Sequence, residues 1–217
     1  AFNRANVVIL GCGALGAQHA ETLTRAGFGR LTLIDRDFVE RSNLQRQTLF
    51  TEEDAEKTLP KVIALKAHLS KINQDIEIST HIADVSSDNI ESLIAGHDLL
   101  LDGTDNLALR MLINDACYKL GIPWIFGSAL ESYGMSYNFN FNFDFDFDFD
   151  FDSKSNISLE NRNIRNRNIR SNQEIAPCLR CLLQTLPLES HDTCSSVGVI
   201  QPILQMISSI QTTEAMK

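Results

Sequence analysis

The sequence predicts an α/β protein with a doubly wound, mostly parallel sheet. Three observations support this fold class. Short apolar runs alternate with amphipathic segments over the first 128 residues, a glycine-rich turn follows the first apolar run, and Asp35 closes the second. Parallel strands joined by helical crossovers are the usual outcome of such an alternation. Because 217 residues are enough for one α/β domain and too few for two, we expect one domain over residues 1–217.

Hydrophobic periodicity predicts the individual elements. The five predicted strands span residues 7–10, 31–34, 77–81, 99–101 and 124–126. The four predicted helices span residues 15–26, 60–72, 106–120 and 199–216. Apolar residues at helical spacing mark the inner face of the second helix (Val62, Leu65, Leu69 and Ile72) and of the last (Ile203, Ile207 and Ile210). The last helix and a C-x-x-C pair before it form the predicted C-terminal extension.

Charge and composition exclude several function classes. The formal net charge is −9, and five aspartates between residues 144 and 152 leave only −4 for the rest of the chain. A nucleic-acid binder needs a basic face, so we expect no nucleic-acid partner. No apolar run approaches the ~20 residues of a membrane span, and the first residues do not resemble a signal peptide. Five cysteines, an odd number, favour a reducing compartment. We therefore expect a soluble cytoplasmic protein.

Residues 138–174 differ from the rest of the chain. Phenylalanine occupies every second position in NFNFNFDFDFDFDFD, and the near-repeat NRNIRNRNIR follows it. Such simple repetition is typical of a disordered or loosely paired segment, so we predict a low-complexity insertion within the domain. Pairing of its aspartates with its arginines, and a divalent cation on the aspartates, are alternatives with less support.

The turn GCGALG, at residues 11–16, predicts a nucleotide site. It follows a strand and opens a helix, so its backbone N–H groups can hold a phosphate. Asp35 ends the next strand, where a carboxylate accepts hydrogen bonds from ribose hydroxyl groups. This is a Rossmann-like arrangement. It does not choose between NAD, FAD and ATP, and a packing turn without a ligand is the structural alternative.

Two cations further along favour ATP. An enzyme that breaks a phosphoanhydride must stabilise the charge that builds on pyrophosphate, and Arg46 and Lys61 could supply this stabilisation. Hydride transfer does not need such cations at the phosphates. The alternative is that both are ordinary surface residues.

The motifs together resemble the ThiF/MoeB/HesA family of the ubiquitin-activating-enzyme superfamily, closest to its bacterial ThiF and MoeB members. The resemblance rests on GCGALG, LTLIDRDFVERSNLQRQTLF, LLLDGTDNLALR, PCLRC and DTCSSVGV. It covers residues 6–138 and 175–217. The order of SNLQRQ, TDN and PC-x-x-C makes it specific. Members adenylate the C-terminal Gly-Gly carboxylate of a ubiquitin-like sulfur carrier for thiamine or molybdopterin synthesis, releasing pyrophosphate. The resemblance thus implies ATP, Mg²⁺, a ThiS- or MoaD-like partner and a homodimer.

The family's residue roles transfer to matching positions of this chain. The resemblance implies that the phosphates face the turn, Asp35 holds the ribose, and Arg46 and Lys61 neutralise phosphate charge. Asp105 would hold Mg²⁺ near the α-phosphate; the structural alternative for it is a helix N-cap. The other implied nucleotide contacts are Gly11, Gly13, Ala14, Gly16, Ser42, Asn43 and Asn106.

The cysteines and the chain ends raise separate expectations. Cys178 and Cys181 match half of the family's tetrathiolate zinc site, for which His191 is a further candidate ligand. Cys194 matches the sulfur-relay thiol of ThiF-like members, so the resemblance makes it a catalytic candidate. The family's second C-x-x-C and its N-terminal arginine-bearing helix have no match here. We therefore expect a chain trimmed at both ends.

Two other function classes remain as hypotheses. An NAD-dependent oxidoreductase would bind NAD(H) tightly and have no use for Arg46. A non-catalytic module derived from an activating enzyme would bind ATP or the carrier without exchanging pyrophosphate. Nucleotide titration separates the first from an adenylyltransferase, and pyrophosphate exchange separates the second.

Overall fold

A six-stranded sheet forms the centre of the structure, a computed structural model that describes residues 2–141, 177–183 and 198–217. The strands are β1 (Asn6–Leu10), β2 (Arg30–Asp35), β3 (Glu77–Ile82), β4 (Leu99–Asp102), β5 (Trp124–Leu130) and β6 (Tyr133–Phe139). Their order across the sheet is β3-β2-β1-β4-β5-β6. The first five strands are parallel, and β6 pairs antiparallel with β5.

The helices of the described ranges connect and cover these strands. They are α1 (Ala14–Ala26), α2 (Glu52–Glu56), α3 (Lys61–Ile72), α4 (Ile90–Ile94), α5 (Leu107–Leu120), α6 (Leu179–Leu183) and α7 (Gln201–Ala215). A 3-10 turn, Arg41–Asn43, lies between β2 and α2. Among these residues no helix is both long and apolar enough to cross a bilayer.

Alternating side chains of β1 build the two halves of the core. Val7 and Ile9 are buried in one cluster with residues of α1 and α3. Val8 and Leu10 are buried in the other, with residues of α4, α5 and α6. A parallel strand covered on both faces is apolar along its whole length, which explains the run VVIL. The predicted doubly wound arrangement is confirmed.

The α7 helix packs along α1 and across β5 and β6. Ile207 and Leu204 are buried against Leu15 and Ala129, whereas Ile210 is exposed. Of the apolar positions predicted for this helix, Ile207 is therefore the fully buried one and Ile203 is partly buried.

The structure differs from the sequence prediction at β6 and in the short helices. The predicted five strands and four long helices are all present, but β6, α2, α4 and α6 were not predicted. The expected insertion was placed from residue 138, yet Phe139 pairs in register with Trp124, and Phe141 is buried in the same cluster. The start of the phenylalanine repeat thus belongs to the sheet and its core. Residues 142–174 lie outside the described ranges, and the domain boundaries stay a prediction.

Candidate nucleotide site

A cleft of about 810 Å³ opens where the strand order reverses, at the carboxyl ends of β1 and β4. Ligands of open α/β sheets bind at such switch points, and this volume is in the usual range for small-molecule sites. Nine of the implied nucleotide contacts line the cleft: Gly11, Gly13, Ala14, Asp35, Asn43, Arg46, Lys61, Asp105 and Asn106. Residues distant in sequence are thus brought to one place.

Gly11 and Gly16, in the turn between β1 and α1, are packed so closely that a side chain would not fit at either position. Gly11 has φ +85°, and its N–H donates to the carbonyl of Ile34 at 2.9 Å. A Cβ on Gly16 would lie 1.8 Å from the Gly11 oxygen, and one on Gly103 would lie 2.4 Å from it. Gly16 does not line the cleft, so its role is this close approach, whereas Gly13 and Ala14 face the cavity.

Asp35 is fixed by its own neighbours at the end of β2. One carboxylate oxygen accepts the N–H of Cys12 at 2.6 Å, and the other accepts the N–H of Asp37 at 2.8 Å. Burial raises the pKa of Asp35, and these hydrogen bonds oppose the rise. The carboxylate is oriented toward the turn and retains free lone pairs for ribose hydroxyl groups.

The two predicted cations reach the cleft from different segments. Lys61 begins α3 with a buried side chain, and its Nζ lies 2.9 Å from Oδ2 of Asp37. Arg46 follows the 3-10 turn, and its Nη1 donates to the carbonyl of Ser42 at 3.3 Å. Each cation has further donors available for phosphate oxygens, because an ammonium has three and a guanidinium five.

Asn106, rather than Asp105, caps α5. Oδ1 of Asn106 accepts the N–H groups of Ala108 at 2.9 Å and Leu109 at 3.2 Å. The alternative of an N-cap role for Asp105 is therefore wrong. No hydrogen bond to the Asp105 carboxylate comes from the described part of the chain, and this carboxylate lines the cleft. Mg²⁺ is commonly held by one or two carboxylates together with substrate phosphates, so the residues present fit this ion.

A buried ion pair supports the loop that presents Asp105. Asp102 ends β4 with no exposed surface, and Nε of Arg110 on α5 lies 3.3 Å from its Oδ2. Arg110 also donates to the carbonyls of Thr104 and Gly127, and Oδ1 of Asp102 accepts the N–H of Thr104 at 2.8 Å. Burial raises the pKa of Asp102, while the charge of Arg110 opposes this. The loop of residues 103–105 is thus held against the ends of β4 and β5 by these contacts.

Two further cleft residues were missed by the sequence prediction. Gln47 is buried beside the turn: a Cβ on Gly13 would lie 3.5 Å from its Nε2. It belongs to the SNLQRQ motif, so the motif itself held the signal. Asp37 holds Lys61, a pairing across 24 residues that no local pattern encodes. Conversely, Ser42 does not line the cleft, and its hydroxyl donates to Glu40 at 3.0 Å.

The paired cysteines lie away from the cleft, beside α5. The sulfur atoms of Cys178 and Cys181 are 3.6 Å apart, close to the ~3.8 Å expected for two corners of a tetrahedral zinc site. Burial works against ionisation of Cys178, but hydrogen bonds from Cys181 and Arg180 lower its pKa. The described ranges contain no group of three or more potential metal ligands. A structural zinc, which requires four ligands, would therefore have only Cys178 and Cys181 within these ranges, while His191 and Cys194 lie outside the described residues.

Comparison with known proteins decides the family. The ThiF family model matches residues 1–217. The chain belongs to the ThiF family. It is 36% identical over 216 residues to the sulfur carrier protein ThiS adenylyltransferase of Bacillus subtilis, matching 100% of this chain and 54% of that protein. It is also 36% identical over 217 residues to the molybdopterin-synthase adenylyltransferase of Salmonella typhimurium, matching 100% of this chain and 74% of the relative.

A solved structure confirms the fold of this ThiF-family chain. The crystal structure of E. coli MccB with ATP aligns with a TM-score of 0.70 at 20% identity, over 100% of this chain and 56% of that one. At this identity the likeness establishes architecture alone. The chain spans about half the length of several relatives that it matches, including the Bacillus subtilis protein.

Proposed function

We propose that the protein is an ATP-dependent adenylyltransferase. It activates the C-terminal Gly-Gly carboxylate of a ubiquitin-like sulfur-carrier protein of the ThiS or MoaD type, for thiamine or molybdopterin synthesis. The convergence of Arg46, Lys61 and Asp105 on one cleft with the glycine turn and Asp35 is the observation that supports it most directly. The two 36% identical relatives, which are named as adenylyltransferases, support the same reaction.

In this reaction the carrier carboxylate attacks the α-phosphorus of ATP. A bond forms between a carboxylate oxygen and phosphorus, and the bond from the α-phosphorus to the bridging oxygen breaks. Pyrophosphate leaves with that electron pair, and the product is an acyl adenylate. A C-terminal carboxyl is ionised near neutral pH, since its ordinary pKa is ~3.5. No general base is therefore needed, and positioning and charge stabilisation remain as the tasks of the protein.

Each cleft residue then has a distinct task. Asp35 orients the ribose, and the turn of Gly11, Gly13 and Ala14 lets the phosphates approach the start of α1. Arg46 and Lys61 stabilise negative charge that grows on the departing pyrophosphate. Asp105 is the residue that would hold Mg²⁺, which when bound supplies positive charge beside the phosphate oxygens.

Other features of the proposal rest on family resemblance. If sulfur passes through this protein, a persulfide on Cys194, supplied by a separate sulfur donor, would attack the carbonyl carbon of the carrier acyl adenylate. The new bond joins the outer sulfur to that carbon, AMP leaves with the electron pair of the bond that breaks, and the product is an acyl disulfide. Cys178 and Cys181 would supply half of a zinc site. The working assembly would be a homodimer, which sedimentation of the purified protein can check, and it would act in the cytoplasm.

Pyrophosphate exchange into ATP tests the proposed function. With Mg²⁺ and a Gly-Gly-ended carrier, the protein should exchange labelled pyrophosphate into ATP, and the carrier should gain the mass of AMP. Asp105→Asn and Arg46→Ala should each slow exchange by about 100-fold or more, since each removes charge stabilisation in the transition state. A carrier without its terminal glycine should not react.

Arg41→Ala is the matched control for these variants. Arg41 is an exposed arginine that pairs with Glu56 at 2.7 Å and does not line the cleft. It should exchange at the wild-type rate. No exchange with either carrier type would contradict the function, and wild-type rates in both cleft variants would contradict the assigned roles.

A further inference from the structure

An exposed ion pair between Arg36 and Asp84 lines the cleft beside Asp35. Arg36 follows β2, Asp84 lies two residues beyond β3, and Nη1 of Arg36 donates to Oδ1 of Asp84 at 2.9 Å. The parallel register of β2 and β3 brings them together, because Asp35 is opposite Ile82 and its carbonyl accepts the N–H of Ala83 at 3.3 Å. Both residues line the cleft, and the activity proposed above assigns no task to either.

The surroundings of this pair suit a nucleobase. The sheet order places the phosphate turn after β1, Asp35 after β2 and Asp84 after β3, so a nucleotide with its ribose at Asp35 extends its base toward β3. There the cleft is also lined by Val85, Leu109 and Leu112, which are partly buried apolar residues. A cleft lined by aliphatic side chains and a guanidinium suits an aromatic base, because guanidinium planes stack on aromatic faces.

We infer that the guanidinium of Arg36 stacks on the purine of the bound nucleotide, and that Asp84 positions it there. This inference rests on the proposed use of ATP and adds the residues that bind its base. Arg36 is the binding residue, whereas Asp84 acts through Arg36. The pair is exposed in the described structure, with 62% and 73% of the two side chains accessible, so its direct contribution to stability is small. Its effect is expected in nucleotide affinity instead.

Two ligands separate base binding from phosphate binding. Calorimetric titration with Mg²⁺ measures the affinity of each variant for ATP and for inorganic tripolyphosphate, which has the phosphates but no base. Arg36→Ala should lower the ratio of ATP affinity to tripolyphosphate affinity by about 3- to 30-fold, the range of a cation–π contact. Arg36→Lys should lower it as well, because the positive charge is kept while the planar group is lost.

Asp84→Asn tests the positioning role. Removing a carboxylate changes the electrostatic attraction of both ligands. Only the ratio of ATP affinity to tripolyphosphate affinity therefore reports an effect on base binding through Arg36. The ratio should fall in Asp84→Asn, and the double variant should be no worse than Arg36→Ala alone. The matched control is Arg25→Ala, since Arg25 is 61% exposed and paired with Glu21 on α1, outside the cleft. It should keep the wild-type ratio.

The possible outcomes are distinct. An unchanged ratio in Arg36→Ala, or a wild-type ratio in Arg36→Lys, would overturn stacking while leaving the proposed function intact. An unchanged ratio in Asp84→Asn would overturn the role of Asp84. A wild-type protein that binds tripolyphosphate and ATP with equal affinity would overturn the proposal that the base is bound beside Arg36. A wild-type protein that binds no ATP would overturn the proposed function as well.

Discussion

His19 links three parts of the molecule through one side chain. It is fully buried on α1, and its Nε2 lies 2.8 Å from Oε1 of Gln211 on α7. The amide nitrogen of Gln211 donates to the carbonyls of Asp102 at 3.0 Å and Ile125 at 3.1 Å. Because Oε1 can only accept, Nε2 of His19 is the protonated nitrogen and the donor. Burial lowers the pKa of His19 to about 4, and the bond to Gln211 opposes this shift.

This pKa predicts acid sensitivity of the fold. An unfolded histidine takes up a proton below pH ~6.5, but the buried His19 does so only near pH 4, so stability falls as the pH drops through this window. Between pH 7.5 and 5, His19 alone should cost about 2 kcal/mol of unfolding free energy. Urea unfolding at both pH values should therefore give a smaller pH dependence in His19→Gln than in the wild type.

The exposed His81 provides the matched control for this measurement. It lies on β3 with an accessible side chain. His81→Gln should keep the wild-type difference between the two pH values. An equal pH dependence in His19→Gln and the wild type would mean that His19 does not remain neutral in the folded protein.

At the scale of elements, the glycine turn joins α1 to the loop after β4. Gly16 is helical, and alanine in a helix is ordinarily favoured over glycine by about 1 kcal/mol. Here the added methyl group would lie 1.8 Å from the Gly11 oxygen. Gly16→Ala should therefore destabilise the protein by at least ~2 kcal/mol despite the better helix propensity, as measured by urea unfolding.

Gly96→Ala separates this close approach from backbone strain. Gly96 has φ +76° and open space where its Cβ would be. Its replacement should cost about 1 kcal/mol, from backbone conformation alone. If Gly16→Ala were as stable as the wild type, the turn would have to be less tightly packed than the 1.8 Å approach to the Gly11 oxygen implies.

Elements with a local signal were predicted from the sequence, and those without one were not. The long helices and the apolar strands repeat their pattern over enough residues to be recognised. Both α2 and α4 have only five residues, too few for a helical period. The β6 strand exposes Tyr133 and Tyr137 and buries Phe139, and its pattern merges into the repeated phenylalanines that follow.

At the scale of the whole molecule, the site depends on contacts between distant parts of the chain. Motifs gave the residues that face the ligand, since glycine turns and the acidic end of β2 have recognisable spacing. They did not give the supporting contacts: Arg36 and Asp84 are 48 residues apart, and Gln211 and Asp102 are 109 apart. Only the strand order and the docking of α7 bring these groups together.

The docking of α7 gives a prediction about cooperativity. Ile207 is 4% exposed and packs with Leu15 and Ala129, whereas Ile210 on the same helix is 47% exposed. Ile207→Ala should lower the unfolding free energy by about 2–5 kcal/mol, and Ile210→Ala should change it by less than ~0.5 kcal/mol. Because α7 contacts α1, β5 and β6, this loss of unfolding free energy should destabilise the whole sheet and not α7 alone.

Trp124, the single tryptophan, reports on the opposite face of the sheet, where it is fully buried. In Ile207→Ala, tryptophan fluorescence and far-UV circular dichroism should give coincident urea transitions, both shifted to lower urea. A circular dichroism change that precedes the fluorescence change would show instead that α7 detaches before the sheet unfolds. The His19–Gln211 bond and the Gln211 bonds to β4 and β5 are the physical reason to expect one transition.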